Sequence, residues 1–586
     1  MFVNSAKTFV ADAIRGLVAS TGDIAWHDDP GFLTRREPLP AGRVALLSGG
    51  GSGHEPMHAG FIGEGMLAGV CPGLVFTSPN ALQVHEASKA VSVGGGVLHI
   101  VKNYTGDVMN FSIARELLRE DNIESDYVLV DDDVATEPSD GDGPAGSGAR
   151  GMTPIAGSGA RGMTQIAGSG AYETAKVGRR GTGATVIVEK VCGAAAERGD
   201  CLTDVVAIGR KVAANARSMT VALRPCTLPG SSEPSFDLPD GEIELGIGIH
   251  GERGTSRVPA MPAQDIVAAL TQPILNSLGL ERGESVLAFV NGLGATHPME
   301  LALLYGELAE FLSDKGIRIA RPLVGSLVTA LNMGGASITL VRVDDEILEL
   351  FDAPTSAPAW PNAHATGESV LGERKGFGPS FEPSENSGTR NEFVSTWVVT
   401  WVERVLAEEP ALTELDRRAG DGDFGTNMVS ALEQLDLASI RETYSPKTIF
   451  EAVSEAYLGH AGGTSGALFG IWFRQFYLAL DTVDLTSITT AARGGLDAIT
   501  ELGGARVGDK TMVDAIAPAV QALEAATDPK EGLHAAATAA TTGARATEHL
   551  TANRGRASYL GDKGVGVEDP GAVVIAWFFE AASQAW

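Results

Sequence analysis

Two patterns divide this chain, and the switch between them limits its fold more than any single motif does. From about residue 40 to 350, short β-branched runs end on glycine or aspartate and give way to longer helical stretches. Val44–Leu47 leads into Gly49–Gly53, Val97–Val101 into Lys102–Asp107, and Tyr127–Val130 into Asp131–Asp133, with further runs at Ala184–Glu189 and Ile338–Val341. Strand, turn residue, helix is the α/β grammar, and ligands collect at the carboxyl ends of such strands. From about 392 the strand runs stop. Phe393–Glu409, Ser487–Glu501, Val513–Ala526 and Leu533–Leu550 are long, Ala-rich and helically periodic. Between the two regions, Ala353–Arg390 is dense in Pro, Gly, Ser, Asn and Glu and reads as a linker. The pattern predicts an α/β domain over 1–352, a linker over 353–390 and an all-α domain over 391–586.

Composition narrows the function classes. With 44% hydrophobic and 20% charged residues, wholesale disorder is excluded. The formal charge of −30 disfavours a broad nucleic-acid footprint or an anionic-membrane partner. It leaves room for an anionic substrate at a locally positive or metal-loaded site. Cys71, Cys192, Cys201 and Cys226 form no CxxC pair and read as reduced thiols. The N-terminus interrupts any apolar core with Asp12 and Arg15, and places Phe9, Val10, Ile14, Leu17 and Val18 on one side of an amphipathic helix. No apolar run approaches the roughly 20 residues of a membrane span. A soluble, cytoplasmic protein is expected, with neither nucleic-acid nor membrane partners.

One internal repeat stands apart. AGSGARGMTPI at Ala145–Ile155 returns nearly unchanged at Ala156–Ile166 and truncated at Ala167–Ala171. Two copies cannot stack into a solenoid, so the stretch from about 138 to 175 reads as a Gly/Ser-rich, chemically silent insertion, with a lid or partner contact as the alternative.

Two motif matches fail on context. His54-Glu55-Pro56-Met57-His58 has the HExxH spelling of zinc proteases, which requires both histidines on one continuous helix. Here the first histidine ends a Gly-rich turn and Pro56 belongs at a helix start. Gly503–Gly508 before Asp509, Lys510 and Thr511 nearly spells a P-loop, but it follows a helical stretch rather than a strand.

Three other groups of residues survive that scrutiny. Asp416, Asp421 and Asp423, separated by glycines, cannot share one helical face but can converge from a helix end and the turn after it. Hard divalent cations take such oxygen ligands, and Gly425-Thr426-Asn427 adds amides suited to phosphate. The Gly-rich turns His460–Gly466 and Asp569-Pro570-Gly571 repeat the theme and suggest a metal–nucleotide site at one end of a helical bundle. In the α/β region, Ser48–His54, Lys102–Asp107 and Gly246–Gly251 each set a functional side chain beside glycine, where backbone can approach a small polar ligand.

Seven motifs in order, GGGSGHEPMHAGF, HIVKNYTGDVMNF, GRRGTGATVIVEK, ELGIGIHGE, GDGDFGTNM, GGTSGALFG and GDKTMVDA, resemble the single-chain dihydroxyacetone kinases from about residue 10 to the C-terminus. The resemblance implies an N-terminal α/β ketose-binding domain and a C-terminal all-α eight-helix barrel that binds ATP with two Mg²⁺ ions. It implies that His250 forms a covalent hemiaminal with the substrate carbonyl. Gly51, Ser52, Gly53, His54, Lys102 and Asp107 would hold the ketose oxygens, with His54 and Asp107 assisting proton removal from the attacking hydroxyl. Asp416, Asp421 and Asp423 would ligate Mg²⁺. Phe424, Gly425, Thr426, Asn427, Thr464, Ser465, Gly503, Thr511, Met512, Asp569, Pro570 and Gly571 would line the nucleotide site. The expected activity is phosphorylation of a terminal hydroxyl of dihydroxyacetone or a four-carbon ketose such as D- or L-erythrulose, by a homodimer. An enzyme cleaving FAD to a cyclic flavin nucleotide and a non-catalytic ketose sensor are the alternatives. His297, in GLGATHPMEL, departs from the expected pattern.

Overall fold

In the computed structural model, residues 1–137, 178–361, 388–419, 422–461, 463–554, 558 and 564–586 are described. The repeat and the insertion around it lie outside these residues, as does most of the linker. The chain forms two compact units, Met1–Gly372 and Glu373–Trp586.

The first unit holds two six-stranded sheets. One is built from β1 (Ile24–His27), β2 (Phe32–Arg35), β3 (Ala45–Ser52), β4 (Gly69–Val75), β5 (Val97–Lys102) and β6 (Ser125–Val130), in the order β1-β2-β4-β3-β5-β6. Its β4-β3-β5-β6 portion is parallel. The other comprises β7 (Ala216–Arg224), β8 (Glu242–Leu245), β9 (Ser256–Pro259), β10 (Ser285–Gly292), β11 (Arg318–Gly325) and β12 (Gly334–Arg342), in the order β11-β10-β12-β7-β8-β9. It is antiparallel except where β10 meets β11. The strand runs at 97–101, 127–130 and 338–341 fall within β5, β6 and β12. That at 44–47 falls short, because β3 continues through its glycines to Ser52, every residue buried.

Ala184–Glu189 is not a strand. It opens a helix, Ala184–Arg198, whose residues 184–196 are all buried and which a left-handed Gly199 terminates. This helix packs against β3 and β5 of one sheet and β7 of the other. A helix apolar all round carries no amphipathic period, so its β-branched start imitates a buried strand. The predicted linker also begins later than its composition suggests. Trp360 is buried, with its ring 5.6 Å from Phe351 and 6.1 Å from Phe61. Gly63 leaves the space that Ala357 fills, so residues 353–361 pack onto the first unit.

The second unit is entirely helical among its described residues. Eight helices close a ring in which each packs on the next: Glu392–Ala407, Phe424–Leu432, Pro446–His460, Gly463–Ala479, Leu485–Gly503, Val513–Ala525, Pro529–Ala546 and Pro570–Ala585, which returns to the first. The shorter Glu409–Ala419 and Leu437–Glu442 lie in the connections. Trp397, Trp401, Phe450, Trp472, Phe473, Phe476 and Phe578 fill its centre. The buried indoles of Trp397 and Trp401 donate to Phe578 O at 2.8 Å and Val574 O at 3.2 Å, satisfying polar atoms the core would otherwise strand. Among the described residues no helix is long and apolar enough to cross a membrane.

Candidate active site

In the first unit, the predicted residues come from three loops at strand ends. Gly51 and Ser52 close β3, and Gly53 and His54 follow it. Lys102 closes β5, and Asp107 lies in the first turn of the helix Thr105–Glu120. His250 lies in the turn after β8. The fold brings these loops together: the His250 ring is 4.8 Å from His54, 4.7 Å from Tyr104 and 5.4 Å from Phe76, edge-on to each. Gly53 has φ of +109°, and a Cβ there would lie 2.8 Å from Phe76, so no other residue fits the turn.

Hydrogen bonds fix the state of both histidines. His54 donates from Nδ1 to Thr329 O at 2.7 Å, which leaves Nε2 as the lone-pair nitrogen, buried and without a partner among the described residues. Burial, then the neighbouring His250, push its pKa well below the ordinary histidine value, so the ring is uncharged. His250 donates from Nδ1 to Glu252 Oε1 at 2.8 Å, while its backbone N–H donates to Glu252 Oε2 at 2.9 Å. Burial would raise the Glu252 carboxyl, but the His250 hydrogen bond and charge, with Arg180 beside it, draw it down to about 2. Its carboxylate occupies space that Gly248 vacates, where a Cβ would lie 1.9 Å from Oε2. Arg180 is held by Asp133 at 2.6 Å and donates to Gly246 O at 2.7 Å, anchoring the loop that carries His250.

Lys102 is saturated. Its ammonium donates to Gly49 O at 2.9 Å and His58 Nε2 at 2.9 Å, and pairs with Asp107 Oδ2 at 3.3 Å. Ser52 Oγ is likewise committed, donating to Gly73 O at 2.7 Å. The polar groups left buried and unpartnered here are His54 Nε2, Asp107 Oδ1 and Tyr104 OH. Such orphans cost about 1–3 kcal/mol each unless a ligand satisfies them. The two histidines of the HExxH spelling face different partners, Thr329 for His54 and Lys102 with Glu189 for His58. His297 caps the helix Pro298–Lys315, its Nδ1 accepting from Met299 N at 3.2 Å.

In the second unit, the predicted nucleotide residues gather at one end of the ring. Phe424, Gly425, Thr426 and Asn427 open one helix, Thr464 and Ser465 another, and Thr511 and Met512 precede a third. Asp569 caps a fourth, whose first residues are Pro570 and Gly571, and Gly503 ends a fifth. Asp569 N donates to Thr547 Oγ1 at 2.8 Å, and a Cβ on Gly571 would lie 3.5 Å from that of Met512, so neighbouring ends meet. Asp416 Oδ2 accepts from the backbone N–H groups of Gly422, Asp423 and Phe424 at 2.9, 3.0 and 3.1 Å. Asp421 lies outside the described residues, and among those described no three ligating side chains close on one metal point. The charge balance nevertheless fits a divalent cation. Asp569 is pushed up to about 7 by burial, with Asp514 and Asp416 adding like charge. Lys510 is no P-loop lysine: its ammonium donates to Thr547 O, Gly564 O and Val567 O at 3.0, 2.8 and 2.6 Å.

Glu252, Arg180 and Asp133 were not predicted. Glu252 and Arg180 sit inside motifs already singled out by sequence, so adjacency to His250 and to a Gly-rich turn was the available signal.

Residues 15–171 and 169–359 match the Dak1 domain, and residues 418–584 the DAK2 domain. The chain is 36% identical over 600 residues to a triokinase/FMN cyclase of Homo sapiens, covering 99% of this chain and 98% of that protein. It is 35% identical over 567 residues to a D-erythrulose kinase of Mycolicibacterium smegmatis, covering 93% and 92%. The crystal structure of the dihydroxyacetone kinase from C. freundii in complex with AMP-PNP and Mg²⁺ aligns over 100% of this chain and 99% of that one, with TM-score 0.58 and 29% identity.

Proposed function

Because this chain belongs to the dihydroxyacetone kinase family, with Dak1 and DAK2 domains in one polypeptide, we propose that it transfers the γ-phosphoryl group of ATP to a terminal hydroxyl of a short ketose captured on His250. The enzyme class is a phosphotransferase with an alcohol acceptor. The observation that carries the finer reading is the His250–Glu252 pair. In the neutral ring, Nδ1–H donated to a carboxylate fixes the tautomer whose Nε2 carries the lone pair, the form that attacks a carbonyl carbon. In the capture step the Nε2–C bond forms and the C=O π bond breaks. The former carbonyl oxygen gains a proton and the ring loses that on Nδ1, so the hemiaminal is neutral and nothing is oxidised.

His54 Nε2 and Asp107 Oδ1, both buried and unpartnered, suit the two ends of the bound hydroxyls. Either can accept a proton, and Asp107 is the base assigned to the attacking hydroxyl. Lys102 acts through Asp107, fixing the carboxylate from behind. In the helical unit Asp416, Asp421 and Asp423 would hold Mg²⁺, two ions being the expected number, and the helix starts at Phe424, Gly463 and Pro570 would offer amides to phosphate. Mg-ATP, when bound, supplies the phosphoryl group and offsets its charge.

Substrate length is a matter of pocket shape, since one extra carbon is commonly worth only ~1–3 kcal/mol. Activity on dihydroxyacetone and both erythruloses is expected, in a panel read by coupled ADP release. Glycerol, which has no carbonyl, should be rejected. Native mass spectrometry, with no reducing step, should find the ketose trapped as an adduct on His250. Absence of that adduct together with glycerol turnover would defeat covalent capture. A second reading, FAD cleavage to a cyclic flavin nucleotide, is favoured by the name of the human relative and is tested by cyclic product formation from FAD with divalent metal. A ketose sensor without activity would release no ADP.

A further inference from the structure

Behind Asp107 the buried polar residues continue into the core, where the capture and transfer steps do not use them. His58 accepts from Lys102 at Nε2, which places its proton on Nδ1, and that proton is donated to Glu189 Oε1 at 2.5 Å. Ser48 Oγ lies 3.0 Å from the same nitrogen and donates onward to Ile100 O at 2.9 Å. Glu189 sits in the middle of the apolar helix that packs against both sheets, fully buried, with Oε2 unpartnered. Asp107, Lys102, His58 and Glu189 are each no more than 4% exposed. Four ionisable side chains therefore form one dry chain from the predicted base to the domain centre, joined at 3.3, 2.9 and 2.5 Å. Burying such groups is costly, and fold stability alone is served as well by apolar residues of equal volume.

We propose that this chain is a proton relay, with Glu189 as the group that stores the proton released by the substrate hydroxyl. The inference rests on the kinase reading above, in which Asp107 takes that proton first. The transfer balances: Asp107 passes its proton to Lys102 as Lys102 gives one to His58 Nε2, and His58 gives its Nδ1 proton to Glu189. One substrate O–H is broken and one Glu189 O–H is formed, with Asp107 and Lys102 returned to their starting states and His58 left in its other tautomer until it resets. The direction is favourable because burial raises Glu189 to about 8, so it holds a proton more firmly than an ordinary carboxylate. His58, whose pKa burial and Lys102 depress, passes the proton without keeping it. The groups facing Glu189 are His58 and Ser48 across the sheet, Lys102 beyond them, and Cys192 on its own helix.

The test is Glu189→Gln, which keeps the acceptor for His58 Nδ1–H but cannot be protonated, alongside His58→Gln. Wild-type kcat should rise with pH through about 8 as Glu189 becomes able to accept. In Glu189→Gln that limb should vanish and kcat at pH 9 should fall about 100-fold, the lower end of the range for a lost acid–base group. KM for dihydroxyacetone and the fraction trapped as the His250 adduct, read by native mass spectrometry, should stay at wild-type values, which a packing defect would not allow. His58→Gln should match Glu189→Gln, and Glu189→Asp should restore part of the limb. A kcat within threefold of wild type with an unchanged profile overturns the relay, as does a loss matched in trapping. Absence of turnover in the wild type would instead defeat the kinase reading, so the two failures are told apart.

Discussion

Glu252→Gln should disable ketose capture without unfolding the site. Glu252 receives two donors, His250 Nδ1–H at 2.8 Å and His250 N–H at 2.9 Å, one on each oxygen. A carboxylate accepts both, but an amide has one oxygen and one NH₂, so one contact must fail. If the oxygen keeps the backbone N–H, the NH₂ faces Nδ1 and drives the ring to the tautomer protonated at Nε2, which cannot attack. If the oxygen keeps Nδ1, the charge assistance is lost and the turn loses its anchor. A hydrogen bond to a charged group contributes about 1.5–3 kcal/mol, which converts to a roughly 10- to 150-fold loss of trapping and of kcat/KM. The carboxyl is held at about 2, below its ordinary value, so its contribution is complete above the ordinary range and fades only as pH falls towards 2. The Glu252→Gln deficit should therefore be flat from about pH 6 to 9. The assays are native mass spectrometry of the ketose trapped on His250 and coupled ADP release across that range. Trapping within threefold of wild type would refute the orientation argument.

Asp416→Asn should lower turnover at least about 100-fold, since an amide oxygen replaces a carboxylate that gathers three backbone N–H groups and is proposed to ligate metal. Trapping on His250 should be unchanged, because that chemistry belongs to the other unit. Lys510→Met strands three carbonyls at about 1–3 kcal/mol each, so the urea midpoint of the helical unit should fall markedly while ketose trapping persists. Excision of Ala145–Ala171, a Gly/Ser-rich repeat, should leave kcat and melting temperature near wild type.

The fold class was legible because the two units differ in period, and a period survives without knowledge of any contact. What misled was burial. The run beginning at Ala184 has no polar face, so nothing in its sequence separates a helix packed between sheets from a strand. Residues 353–361 have loop composition, yet one Trp360 in a slot between Phe61 and Phe351 outweighs it.

The candidate site divides along the same line. His54 and His250 were visible because ligand contact requires glycine around them, and glycine clusters are conspicuous. The residues that orient them need no such space. Arg180 reaches Gly246 O from the strand-end loop beyond β6, and Glu252 lies one glycine past His250. Their roles depend on tautomer and angle, which sequence does not state. Glu189 and Lys190 nevertheless carry a sign of their own. In VIVEKVCGAAA two adjacent charges interrupt an apolar helix, and the fold gives each a buried partner, His58 for one and Leu350 O at 3.0 Å for the other. Adjacent helical residues point about 100° apart, so two buried ionisable groups in succession face different partners. Lys190 can be explained as a strut, because its carbonyl acceptor has no proton to exchange. Glu189 cannot, because its partner is a titratable ring that joins it to Asp107. Chemistry, more than burial, distinguishes the two.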